Sequence, residues 1–259
     1  MLYILFSTIV LLPVFAGFGG IFNKFFGDFF QEISGKLLSG LFSIAVIFTI
    51  TAFFFPLDVY IELGIVSIGL ASFFYFKIYK EFWEFFSKNK FYFFIISFFT
   101  LFFGSYYPFI LDHFGYYMPT IKWIAEVGLV QGISNLDLIL GQMSIWHILQ
   151  AGFSNFTDPF LRLNVVVLII YLIYIFEKKS WIHLFFLPIL FLFSQSPSPD
   201  LPVMVFSLIV LNEIFSSNKK AGKLLVFSFF IFALKPTMIW VPILVFLYSS
   251  LILKTKLKF

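Results

Sequence analysis

Residues 91–111 have the sequence FYFFIISFFTLFFGSYYPFIL, and residues 112–123 continue as DHFGYYMPTIKW. The first segment has the length and apolar character of a helix that crosses a membrane, which needs about 20 such residues. The second begins with Asp112, the first charged residue after that run. An acidic group at a membrane boundary is costly and is a functional candidate for that reason. The junction therefore predicts a membrane helix that opens into a loop with a chemically active first residue.

The composition of the whole chain supports this prediction. Of the 259 residues, 61% are hydrophobic and 12% are charged, whereas a soluble domain has about a quarter charged residues. The absence of cysteine excludes disulfides, thiolate metal sites and cysteine nucleophiles. The three histidines are too widely spaced to predict a metal cluster, so we expect neither a metal nor a cofactor. The net charge of +4 comes from lysines scattered at helix ends, so a nucleic-acid partner is not expected.

The apolar segments predict an all-α, polytopic transmembrane helix bundle of about nine helices in one domain, residues 1–259. The first segment lacks a basic start and a small-residue cleavage site, which favours a retained helix over a signal peptide. Residues 1–90 would be additional N-terminal helices, and residues 91–253 a core. The predicted spans are 2–22, 37–57, 59–79, 91–111, 163–176, 181–195, 201–216, 222–234 and 236–253.

The distribution of basic residues predicts the orientation, because short cytoplasmic loops are rich in Lys and Arg. Five segments hold fourteen of the seventeen basic residues, and the opposite side keeps Lys122, Arg162 and Lys235. This bias places the N-terminus outside, the C-terminus in the cytoplasm and the long loop 112–160 outside. Sixteen lysines against one arginine, with 44 phenylalanines, indicate an AT-rich genome and hence a bacterial plasma membrane. The segments assigned to the cytoplasm are 23–36, 77–90, 177–180, 217–223 and 254–258.

Two segments of the long loop are predicted to form amphipathic helices in the membrane interface, with their apolar sides towards the lipid headgroups. In PTIKWIAEV, Pro119 suits the first helical position and Gly128 the stop. The second segment is LDLILGQMSIWHILQAGF, residues 136–153, with apolar residues at broadly helical spacing.

Three residues of the predicted outer side are candidates for chemistry: Asp112, Asp200 and Lys235. Two carboxylates and an ammonium suit a site where a base works beside an anionic leaving group. Each also has a structural interpretation. Asp112 would then be a polar loop residue, Asp200 a helix cap within SPSPDLP, and Lys235 a helix-end lysine that reaches towards water.

Five further residues of the long loop are candidate substrate ligands: His113, Tyr116, Tyr117, Lys122 and Trp123. His113 lies beside Asp112 and would assist it, or it would be a solvated histidine. The aromatic residues would stack on a sugar, or they would anchor the loop at the membrane interface. The sequon at Asn155 is interpreted as a chance match.

The order of these motifs resembles the GT-C superfamily of polytopic membrane glycosyltransferases. More narrowly, four segments resemble a little-characterised bacterial family of GT-C-like membrane proteins, in which an Asp, a Tyr-His pair, a Lys-Trp pair, a Gly-x-x-Asn-Leu turn and an Asp-Leu-Pro motif follow in order. Tyr117 stands where that family has His, a departure that puts a His-assisted step in doubt. The segments are DHFGYYMPTIKWIAEVGLVQGISNL (112–136), GQMSIWHILQAGFS (141–154), SPSPDLP (196–202) and ALKPT (233–237).

The resemblance implies an inverting sugar transfer from a polyprenyl-phosphate-type carrier to a glycan or lipid acceptor outside the cytoplasm. Asp112 would deprotonate the acceptor, Lys235 would hold the departing phosphate, and Asp200 would orient the acceptor or stabilise developing positive charge. Three other interpretations stay open at this point. A polysaccharide polymerase or ligase is disfavoured by the single arginine, a transporter or flippase component by the lack of paired repeats, and a scaffold or fragment would have no activity.

Overall fold

The computed structural model describes residues 1–27, 31–135, 138–216 and 221–252, and every regular element in these ranges is helical. It divides into an N-terminal unit, Met1–Ser198, and a C-terminal unit, Pro199–Phe259. The predicted all-α class is thus confirmed. The predicted boundary between additional helices and core, at residue 90, falls inside a continuous helix.

Among the described residues, the N-terminal unit contains eight helices. A π-helical turn, His113–Tyr117, precedes α5, and short 3-10 turns precede α6 and α8. The helices are α1 (Leu2–Phe26), α2 (Ile33–Ala52), α3 (Val59–Tyr75), α4 (Ile78–Gly104), α5 (Met118–Val127), α6 (Ile145–Ala151), α7 (Leu163–Lys178) and α8 (Leu187–Phe191).

Two helices among the described residues, α1 and α2, are long and apolar enough to cross a membrane, and the bent pair α3–α4 adds a third if it forms one span. These helices indicate a membrane protein. The axes of α3 and α4 differ by 76°, and the bend lies at Lys77, whose backbone has a φ of 56°. Residues 78–90, predicted to form part of a cytoplasmic loop, are instead the first part of helix α4.

Glycines bring α1 into direct backbone contact with its neighbours. A Cβ atom on Gly40 of α2 would lie 1.7 Å from the carbonyl oxygen of Phe15, and one on Gly17 of α1 would lie 2.0 Å from that of Gly69 in α3. Small residues at such crossings let helix backbones approach closely, which is typical of helix packing in membranes.

Helix α7 lies inside the N-terminal unit. All its residues from Leu163 to Phe176 are buried, which explains why the segment is apolar on every side. Its C-terminal Glu177 accepts hydrogen bonds from the backbone N–H groups of Ile33 and Ser34, both at 2.9 Å. This carboxylate therefore caps the N-terminus of α2 from a distant part of the chain.

Two predicted spans differ from the structure. The span predicted to end at 111 ends at Gly104, and an irregular stretch follows, because the residue before Pro108 disfavours helix. The span predicted at 181–195 is a 3-10 turn followed by the five-residue α8. The nine-span count is therefore not confirmed.

The predicted interface helices pack against protein. α5 has the predicted bounds, with Gly128 at φ 76° as its stop, but Ile121 and Ile124 are buried in the unit. The second segment folds as a 3-10 turn, Leu138–Gln142, and α6, and residues 146–151 are all buried. A helix without an exposed side cannot lie in a headgroup layer, so the expectation is wrong for α6. α5 keeps an exposed side with Lys122 and Glu126, and its position relative to the membrane stays a prediction. Leu136 and Asp137 lie outside the described residues.

The described part of the C-terminal unit contains three helices: α9 (Asp200–Phe215), α10 (Ala221–Leu234) and α11 (Trp240–Leu247). Phe206 and Phe230 stack between α9 and α10, with ring centroids 5.6 Å apart. Lys235, in extended conformation, separates α10 from the 3-10 turn before α11, so the predicted break between the last two apolar segments is present. The basic residues predicted at 219–220 and 254–258 lie outside the described residues.

Candidate functional site

A cavity of about 650 Å³ lies at one end of the N-terminal unit. This end, called the cavity end below, is where α2 stops and α3 and α7 start. The wall also includes the irregular stretch after α4, the π-helical turn, α5 and the loop 154–162. Eight of its lining residues carry polar or ionisable groups, namely Asp58, Tyr107, His113, Lys122, Glu126, Ser154, Asn155 and Arg162.

The buried carboxylate of Glu62 fixes the loop that carries Arg162. Glu62 lies in the first turn of α3 and is fully buried. It accepts backbone hydrogen bonds from Asn155 at 2.9 Å, Phe156 at 3.2 Å and Thr157 at 2.8 Å. A carboxylate that accepts three N–H groups is a strong local anchor, so the loop is held firmly onto α3.

Arg162 is the single arginine of the chain, and its guanidinium forms part of the cavity wall. Nη2 donates to the carbonyl oxygen of Tyr106 at 3.3 Å, and the buried Nη1 has no hydrogen-bond partner among the described residues. Burial lowers the pKa of Arg162, and the nearby charge of Asp158 opposes that effect. The group is therefore a cation whose hydrogen-bonding capacity is not filled by the protein, which is suited to an anionic ligand.

Asp158 is a buried carboxyl group behind this wall. Its Oδ1 accepts the backbone N–H of Arg162 at 2.9 Å, and its Oδ2 has no partner within the described ranges. Burial raises the pKa of Asp158 to about 7, although hydrogen bonds and the charge of Arg162 act in the opposite direction. Near neutral pH this carboxyl is thus partly protonated and offsets the charge of Arg162 incompletely.

Among the predicted residues, His113 and Lys122 line the cavity, whereas Asp112 does not. His113 is buried, and burial together with the charge of Arg162 lowers its pKa to about 4, so it is neutral at physiological pH. Asp112 is exposed and directly precedes His113 in the turn. It therefore lies beside the cavity wall and not in it.

The aromatic candidates surround a second histidine, His147. Tyr116 donates a hydrogen bond to the carbonyl oxygen of Gln142, and the ring of Tyr117 lies 5.2 Å from that of His147. Burial, followed by the proximity of Tyr117 and Asp112, raises the pKa of Tyr116 to about 12. Trp123 keeps a buried Nε1 without a partner in the described part of the chain. None of these three aromatic residues lines the cavity. Their contacts in this structure are with other parts of the loop, which they help to stabilise.

Asp200 and Lys235 come together within the C-terminal unit. Their side chains form an ion pair between the first turn of α9 and the break that follows α10. Of the three residues predicted on one side, Asp112, Asp200 and Lys235, these two are in contact, and Asp112 belongs to the N-terminal unit. The ammonium of Lys235 already has a carboxylate partner, and a phosphate ligand would have to displace it.

Sequence reasoning missed three residues at the cavity end: Glu62, Asp158 and Arg162. Arg162 carried a usable signal, because it is the single arginine and lies on the side predicted to avoid positive charge. Glu62 and Asp158 carried none, since each depends on a contact that only the folded chain creates. Within the described ranges, no group of three or more His, Asp or Glu side chains is arranged to hold a metal ion.

The chain belongs to a family described as a domain of unknown function (DUF8201), whose model matches residues 1–259. No curated protein matches the chain, and no solved structure matches it.

Proposed function

We propose that this protein is a membrane glycosyltransferase of the GT-C type, which transfers a sugar from a polyprenyl-phosphate-type carrier to a glycan or lipid acceptor outside the cytoplasm. The observation that carries this proposal is the unfilled guanidinium of Arg162 in the cavity wall, with Lys122 on the same cavity. Two cations at a part-buried site are suited to a sugar phosphate, because charge-assisted hydrogen bonds are strong where water is excluded.

The proposed setting is a bacterial plasma membrane, crossed by about nine helical segments. The cavity end would face the outside and the C-terminus the cytoplasm, as the basic residues of the sequence predict. The N-terminal unit is consistent with this arrangement, because the hydroxyl of Ser7, near the start of α1, donates to the carbonyl oxygen of Thr157 in the long loop. The first helix thus begins at the cavity end.

In the proposed reaction Asp112 removes the proton of the acceptor hydroxyl, which attacks the anomeric carbon with inversion as the carrier phosphate leaves. We assign that phosphate to Arg162 and Lys122, because Lys235 is engaged by Asp200. The exposed carboxylate of Asp112 beside the cavity is accessible to an incoming acceptor. Asp200, which is engaged by Lys235 within the C-terminal unit, is assigned no role in this reaction.

Carrier binding and turnover test different parts of this mechanism in purified protein with a polyprenyl-phosphate sugar. Arg162→Gln and Lys122→Gln should each weaken carrier binding by about tenfold, the loss of one charge-assisted contact. Lys88→Gln is the matched control, since Lys88 is an exposed lysine at the other end of the unit and pairs with Glu84. Unchanged carrier binding in Arg162→Gln would remove the phosphate from this cavity.

Asp112→Asn keeps the shape of the side chain but cannot accept the proton. Turnover should fall by about two to four orders of magnitude, the usual contribution of general acid–base catalysis, while carrier binding stays unchanged. Transfer at the wild-type rate would exclude Asp112 as the base.

A further inference from the structure

A second cavity of the N-terminal unit, of about 500 Å³, is a groove between α1 and α4. Its floor consists of buried residues, including Leu12, Phe93 and Ile169 of α7, and its rims include the exposed side chains of Ile9 and Phe98. Among the described residues, no charged side chain lines the groove. The groove therefore offers an apolar ligand a partly enclosed surface.

Hydrogen bonding is nearly absent from the groove. The hydroxyl of Thr8 is bonded to the carbonyl oxygen of Ile4 at 2.7 Å. The hydroxyl of Ser97 is buried and has no partner among the described residues. A ligand that carries polar groups would leave them unsatisfied here at a substantial cost, so the walls select for plain hydrocarbon.

The groove follows the helix axes. Along α1 its lining extends from Met1 to Pro13, and along α4 from Phe82 to Leu101, which is about 18 Å and about 29 Å at the rise of an α-helix. The hydrocarbon core of a bilayer is about 30 Å thick, so one leaflet accounts for about half of that. The groove is therefore long enough for one acyl chain that lies along the helix axes, and its lining on α1 is about as long as one leaflet is thick.

We propose that this groove binds one acyl chain of a bilayer phospholipid. The lipid-facing surface of α4 continues into the groove, since Phe94 and Phe98 lie on its rim and Phe99 and Phe102 are exposed beside it. The bound chain fills the space between α1 and α4 and contacts both helices. The length of the groove favours an acyl chain over a much longer polyprenyl chain, so this site is separate from the proposed carrier phosphate site.

Neighbouring phenylalanines of α4 provide a matched test. Phe98 lines the groove and is 50% exposed, whereas Phe99 does not line it and is 49% exposed. The full chain is reconstituted with a phosphatidylcholine that carries a photoactivatable diazirine in one acyl chain, and cross-linked residues are mapped by mass spectrometry. Cross-links should concentrate on the groove residues of α1 and α4. Phe98→Ala should lower the lipid's affinity by about tenfold, as expected for the loss of one large apolar contact, and Phe99→Ala should leave it unchanged.

A groove-filling variant gives an independent readout. Ser97→Leu fills the floor without removing a hydrogen bond, so it should abolish the concentrated cross-links while the protein still folds. Equal effects of Phe98→Ala and Phe99→Ala, or cross-links spread evenly around α4, would overturn the proposal. Displacement of the diazirine lipid by polyprenyl phosphate but not by phosphatidic acid would also overturn it, in favour of a carrier chain.

Discussion

The two ends of the N-terminal unit differ in how fully their charged side chains are paired. At the ion-paired end, where α2 starts and α7 ends, Lys36 pairs with Glu81 at 2.6 Å and Lys178 with Glu32 at 3.1 Å. At the cavity end, Arg162 has no carboxylate partner among the described residues, and Asp158 keeps an unbonded oxygen. Paired charges stabilise a structure, whereas buried charges without partners are costly and concentrate at functional sites. This contrast is the reason why the proposed site is placed at the cavity end.

The sidedness of the two ends is the largest effect to test, because it is all or none. Asn135→Cys, at the cavity end, should react with a membrane-impermeant maleimide in intact cells, and Lys88→Cys should react only after permeabilisation. The chain has no native cysteine, so labelling is specific. The opposite pattern would invert the orientation, and equal labelling would show that the two ends do not face opposite sides.

Loss of the Glu62 anchor should cause the largest change in stability. Glu62→Ala leaves three backbone N–H groups of the 155–157 loop without their acceptor, and each orphaned buried donor costs about 1–3 kcal/mol. The free energy of unfolding should fall by about 4 kcal/mol, measured by chemical denaturation in detergent. Glu62→Gln keeps one acceptor oxygen and should lose clearly less. Equal losses in both variants would show that packing, and not the carboxylate, holds the loop.

Asp158 should make stability depend on pH. Its pKa of about 7 in the folded protein lies above the ordinary value of 3.8, so the folded state retains a proton that the unfolded state releases between these values. Stability therefore falls as pH rises from about 4 to 7, by about 4 kcal/mol in total, and is constant above that range. Asp158→Asn removes this dependence.

Thermal unfolding from pH 5 to pH 8 checks the sign of this effect. The difference between the melting temperature of Asp158→Asn and that of the wild type should increase as pH rises, in favour of the variant. A difference between the two proteins that is the same at every pH would show that Asp158 is ionised throughout, and the cavity end would then contain a permanent charge pair.

The smallest effect is expected at the ion-paired end. The Lys36–Glu81 pair is partly exposed, and such pairs contribute about 0.2–1 kcal/mol. A double-mutant cycle with Lys36→Met and Glu81→Gln should give a coupling energy in that range, reduced by added salt. A coupling of several kcal/mol would remove the energetic distinction between the two ends.

The sequence predicts the helical class and the long helices well, because continuous apolar runs and the signals at Pro119 and Gly128 are local. The grouping of Lys36 and Lys178 at one end of the N-terminal unit, with Lys122 and Arg162 at the other, is what the predicted topology requires. Which side each end faces stays a prediction.

Other features of the fold depend on distant contacts and cannot be read from local pattern. Apolar periodicity does not distinguish a helix buried in protein from one that contacts lipid, which is why α6 was expected at the membrane interface although its residues 146–151 are buried. The site shows the same limit. Glu62 meets a loop more than ninety residues away, and Arg162 was noticed only as a departure from the charge pattern.

The glycine contacts of α1 bear on how the protein is made. Gly17 and Gly40 bring together helices that all lie within the first 75 residues, so their contacts are local in the chain and can form early. A ribosome synthesises the chain from its N-terminus, and domains fold as they emerge. The three-helix packing of α1, α2 and α3 would thus be complete before the long loop is translated. Glu62 would then already be in place when residues 155–157 of that loop bind to it.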